Sequence, residues 1–229
     1  LTDLAESTLW TTVAGVIWIV LMTYICYRGI EVSARLQYAL LGIELVVLLA
    51  FAIIALVKVY AGLAPEGSML PGLDWLWPGG LGLTELVDAL LIAVFLYWGW
   101  DTAVACNEES DDPSKTPGRA AVLSTVLLVV TYVLVSVASV AFAGTGTEGI
   151  GLGNEENSDD VFAAIGPAVF GEDGFGQVFV ILLIISVLTS SAASTQTTIL
   201  PTARAALSMG AYRAIPKRFA DIHPRYLTP

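Results

Sequence analysis

Tyr97-Trp98-Gly99-Trp100-Asp101 lies near the middle of residues 84–106, an apolar stretch long enough to cross a bilayer. That is an unusual depth for such residues. Tryptophan and tyrosine collect at the two membrane–water interfaces. An aspartate at the midplane costs at least ~2.5–3.5 kcal/mol. A glycine between them is a place where a helix can open. The five residues therefore predict a broken membrane helix beside a polar cavity, an arrangement by which transporters build substrate sites.

The rest of the chain has the composition of a membrane protein. Of its 229 residues, 56% are hydrophobic and only 14% charged, against roughly 25% charged in soluble domains. Residues 9–27, 120–143 and 175–203 carry no charge at all. Five membrane helices are expected, at about 8–27, 36–61, 84–106, 119–144 and 175–209, with the third discontinuous. The last exceeds one bilayer thickness, so it tilts or projects, and Pro201 is a kink site within it. The first span lacks the basic leader and small-residue cleavage site of a signal peptide. Val161–Phe170 reads as a short helix before the last span. The fold class is thus all-α, a polytopic helix bundle forming one membrane domain over residues 1–229.

Basic residues orient this zigzag. Arg28, Arg35, Lys115, Arg119, Arg204, Arg213, Lys217, Arg218 and Arg225 fall on one side, and Lys58 on the other. The positive-inside rule makes the first side cytoplasmic, so the loops after spans 1, 3 and 5 face the cytoplasm of a multi-pass cell-membrane protein. Acidic residues fill the opposite loops and account for much of the net charge of −11, which excludes a nucleic-acid partner. Gly149-Ile150-Gly151-Leu152-Gly153 lacks the strand and lysine of a phosphate loop.

Inside the spans, Asp101 reads as a protonatable group or gate facing the cavity. Glu44, alone in the second span, is a candidate proton-coupling site. Ser190 and Ser191, in the polar patch of the last span, are candidates for holding a cation or substrate. Their alternatives are interhelical or self-satisfying hydrogen bonds. A helix opened at Gly99 bares carbonyls on one side and N–H groups on the other, which together match a zwitterion. Tyr97, Trp98 and Trp100 could close over an amine by cation–π contact. Cys26 and Cys106 read as small core residues, and His223 as a loop residue. No nucleophile–base, HExxH or CxxC arrangement occurs, so no enzyme activity, catalytic residue, metal or organic cofactor is expected.

At these residues the chain resembles the amino acid–polyamine–organocation (APC) superfamily of permeases. Tyr97 to Ala103, then Asn107-Glu108-Glu109, Asp112-Pro113, Lys115, Pro117 and Arg119, is similar to that family's sixth helix and its following loop. Arg204, Met209-Gly210, Ile215-Pro216, Phe219-Ala220, His223-Pro224 and Thr228-Pro229 resemble the end of the eighth. Tyr27 to Ile30 and Ser33 to Gln37 resemble the connection from fourth to fifth. The resemblance implies helices four to eight of a twelve-helix, LeuT-like carrier whose missing N- and C-terminal helices complete it. The start at Leu1 without methionine and the polar end at Pro229 agree with a piece of a longer protein.

The resemblance also places Gly99 at an unwound point, with Trp98 and Trp100 near the substrate and Asp101 at a gating position. Glu44 stands where certain proton-coupled relatives carry a lysine, and Ser190 and Ser191 lie near a sodium-holding region of other LeuT-like carriers. The implied activity is secondary-active amino acid transport by alternating access, coupled to protons or working by exchange. Alternatives are a polyamine or organic-cation carrier, and a non-transporting membrane subunit or sensor.

Overall fold

A computed structural model describes residues 7–97, 99, 101–105, 107 and 110–228, with the side chains of Ile30, Asp101 and Ala103 set aside. It is all-helical, with no strand among the described residues. Helix α1 spans Thr8–Tyr27, α2 Ile30–Tyr60, α3 Leu83–Leu96, α4 Asp101–Ala105, α5 Thr116–Ala143, α6 Val161–Phe170 and α7 Phe175–Ala211. Four of these, α1, α2, α5 and α7, are individually long and apolar enough to cross a membrane. The third expected span is the discontinuous one: α3 and α4 divide it.

Local chemistry sets the helix ends. Uncharged α1 stops at Tyr27, and Gly29 (φ +116°) supplies the turn into α2 that a side-chain-bearing residue would resist. Lys58, in the last turn of α2, complements the helix dipole, and its Nζ donates to the Ala168 carbonyl at 2.9 Å. Glu85 caps α3 by accepting from the Gly82 N–H. Asp160 caps α6 by accepting from the Ala163 N–H at 2.9 Å. At 37 residues, α7 is about 55 Å long, well beyond the ~30 Å of hydrocarbon, and it runs through Pro201 as one element.

The chain divides into two compact units. The first comprises residues 1–41, 99–121 and 188–229, and the second residues 42–98 and 122–187. In the second, Val47, Phe51, Ala52 and Ala55 of α2 pack with Ala138, Ala141 and Phe142 of α5, Ile165 and Val169 of α6, and Leu183 of α7. Small residues on α2 and α5 let their backbones approach, which is how helices associate where lipid removes the hydrophobic drive. The segment between α2 and α3 is fastened over the end of α5. The Met69 N–H donates to the Ala141 carbonyl at 2.8 Å, and a β-carbon on Gly144 (φ +68°) would strike the Gly67 carbonyl.

In the first unit the closing segment docks on the end of α1. The Thr228 hydroxyl donates to the Tyr27 carbonyl at 3.1 Å, and the rings of His223 and Tyr226 stand 5.3 and 5.2 Å from that of Tyr27. Elsewhere the long helices turn apolar side chains outward. Leu9, Ile17 and Val20 of α1, and Leu90, Ile92 and Phe95 of α3, are more than half exposed. Contiguous apolar surface of that kind needs lipid or further helices against it.

Candidate functional site

The break in the third span is the centre of the candidate site. Tyr97 ends α3 with φ −95° and ψ 6°, its N–H still donating to the Ala93 carbonyl at 3.0 Å. Gly99 then takes φ +122°, and the Thr102 N–H donates to the Gly99 carbonyl at 3.2 Å as α4 begins. A φ of that size is ordinary for glycine and strained for any other residue. The opening foreseen at Gly99 is therefore where the backbone turns. The ring of Tyr97 lies 5.9 Å from that of Tyr132 on α5, edge to face. Trp98 and Trp100 lie outside the described residues, as do Cys106, Glu108 and Glu109. Asp101 opens α4.

A hydroxyl anchors α4. Pro201 has no N–H, so the Thr197 carbonyl one turn before it in α7 loses its helical donor. The Thr102 hydroxyl donates to that carbonyl at 3.0 Å. The proline that would otherwise leave an unpaired acceptor thus provides a docking point for the segment after the break. Thr102→Val, nearly isosteric, is expected to destabilise the protein by about 1–3 kcal/mol, since a shielded carbonyl is left unpaired. Pro201→Ala restores the helical donor, so the same change in that background should cost markedly less. A double-mutant cycle on thermal unfolding reads the difference, and equal costs in both backgrounds would refute the assignment.

A second polar contact ties α1, α2 and α7. Gln196 is fully buried. Its Oε1 accepts from Gln37 Nε2 at 2.8 Å and from the Ser33 hydroxyl at 3.3 Å, while its Nε2 faces Met22 Sδ at 3.7 Å. Gln37 Nε2 also reaches the Ala193 carbonyl at 3.2 Å. The polar patch that holds Ser190 and Ser191 extends to Gln196 along α7, but nothing local to it announced this hub. Its partners lie more than 150 residues away, and the single available signal was an uncharged amide deep in an apolar run.

The other expected residues are placed as follows. Ser190 is half-buried and Ser191 exposed, both on α7 in the first unit. Much of the surrounding hydroxyl patch serves its own helix: Thr195 donates to the Ser191 carbonyl, and Thr197 and Thr198 donate to that of Ser194. Glu44 is half-buried on α2, and with Tyr97 belongs to the second unit. No group of three or more metal-ligating side chains occurs among the described residues.

A family model described as "Amino acid permease" matches residues 2–229. The chain belongs to the amino acid permease family. Proteins named "uncharacterized transporter" from Mycobacterium bovis and from two strains of Mycobacterium tuberculosis are each 26% identical to it over 213 residues. The alignment covers 92% of this chain and 43% of each relative, so the chain spans less than half the length of the curated relatives it matches. No solved structure matches it significantly. With four helices among the described residues long and apolar enough to cross a membrane, the chain fits the membrane-spanning part of such a permease, and the interrupted third span is its most distinctive element.

Proposed function

We propose that residues 1–229 form part of the membrane domain of a secondary-active amino acid permease that works by alternating access, coupled to protons or by substrate exchange. The observation that carries this reading is the glycine-centred break between α3 and α4 in a chain of permease ancestry. Non-helical backbone at membrane depth is tolerated where it lines a cavity or is buried in protein. Tyr97, Trp98, Gly99, Trp100 and Asp101 are assigned to the substrate, and Glu44, Asp101, Ser190 and Ser191 to the coupling ion or proton. The remaining helices of the carrier would complete the cavity.

The test is flux in proteoliposomes of the complete protein. Uptake of labelled leucine, driven by a proton gradient or by counter-substrate, is expected. Efficient competition by putrescine would transfer the assignment to polyamines or organic cations. Absence of any flux would favour a non-transporting subunit or sensor. Within that assay Asp101→Asn is expected to weaken uptake at least tenfold, or to flatten its dependence on pH between 5 and 8. Unchanged uptake across that range would remove Asp101 from the mechanism.

The loops after the first, third and fifth spans are assigned to the cytoplasm on their arginines and lysines. An impermeant thiol reagent applied to intact cells should label a cysteine introduced at Glu66 and spare one introduced at Lys115. The reverse pattern would invert the topology.

A further inference from the structure

The end of α1, the start of α2, the last third of α7 and the closing segment line an open cleft of about 460 Å³, all within the first unit. Three arginines, Arg28, Arg204 and Arg225, line it, with Glu31 the one carboxylate among its described walls. Glu31 lies 3.6 Å from Arg35, so its charge is already opposed. We propose that this pocket binds a phosphate-bearing anion, either the headgroup of an anionic membrane lipid or a free phosphate.

Preorganisation supports the assignment. Arg28 Nη1 donates to the Tyr24 hydroxyl at 2.9 Å, and its guanidinium stands 5.3 Å from the centre of the Tyr226 ring. The guanidinium of Arg225 stands 5.5 Å from the same ring. Two guanidinium groups thus stand beside one aromatic ring, at 5.3 and 5.5 Å from its centre, so positive charge is concentrated at this wall of the pocket, where an anion would be attracted. The turn that carries Arg225 is itself held in shape. Leu227 (φ +55°) donates its N–H to the His223 carbonyl at 2.9 Å, and the Thr228 hydroxyl ties the segment to Tyr27. Guanidinium forks match phosphate oxygens in pairs. The pocket also opens where an apolar span gives way to polar chain, flanked by tyrosines. Basic pockets between membrane helices at that depth suit lipid headgroups.

Native mass spectrometry of the purified protein, released from nanodiscs containing phosphatidylglycerol or phosphatidylcholine alone, tests this. Retention of phosphatidylglycerol over phosphatidylcholine is expected, and Arg28→Gln/Arg225→Gln should reduce it about tenfold or more. In a second arm, inorganic phosphate is titrated into lipid-stripped protein. Saturable binding that the same variant abolishes, without lipid retention, would assign the pocket to free phosphate. Should the double variant fail to fold, Arg225→Gln on the exposed turn carries the test alone, with a several-fold loss expected. Equal retention and equal phosphate binding in wild type and the folded variant would overturn the proposal.

Discussion

In the complete protein, Gly99→Leu is expected to abolish the substrate binding proposed for the break between α3 and α4. Gly99 sits at φ +122°, and a β-carbon there meets nothing within 4 Å, so the penalty is not a collision with a neighbour. It lies in the backbone, where holding a side-chain-bearing residue in a sparsely populated region costs about 1–3 kcal/mol. The chain can bear that strain, or it can rotate residue 99 back and join α3 to α4. Joining restores the helical hydrogen bonds and removes the bared carbonyls and N–H groups on which the proposed substrate site depends. Strain that is borne lowers stability, whereas a preference of that size for the joined form lowers affinity about tenfold to a hundredfold. Titration of purified protein with a labelled amino acid reads the loss. Retained affinity would mean that the opening at Gly99 plays no part in recognition.

Phe51→Ala is expected to cause the largest loss of stability. Phe51 is fully buried in the second unit, with the rings of Phe162 and Phe170 at 5.4 and 6.2 Å and Phe142 in the same cluster. Removing a buried phenyl ring forfeits its contacts and leaves a cavity, typically at a cost of about 3–5 kcal/mol. A chain of this size should melt roughly 10 °C lower. Since Phe162 and Phe170 both belong to α6, exchange of α6 amides should rise before that of α2. A shift of under 2 °C would show that the site collapses without a void.

Hydropathy made most of the fold readable. The first span and the short helix 161–170 were found at their observed limits, because each is bounded by an abrupt change in polarity. The second was expected from residue 36, whereas α2 begins at Ile30. Glu31, Arg35 and Gln37 made its first turns look like a loop. An apolar pattern reports where the chain meets oil, and a helix can continue beyond it. The break at Gly99 was legible because polar and aromatic residues stood at the wrong depth. The Gln196 hub and the Thr102–Thr197 bond were not, since each joins segments distant along the chain. Pro201 illustrates the limit: its effect on its own helix was readable locally, but that the carbonyl it frees is taken up by a hydroxyl 95 residues earlier was not.

The meeting of Gly67 with Gly144 has a mechanical consequence. Two backbones pressed together without side chains, and pinned beside that point by the Met69 amide, leave no slack for sliding. The segment over the end of α5 is thereby held against that helix. Under the alternating-access reading proposed above, a tilt of α5 would therefore carry its cover along.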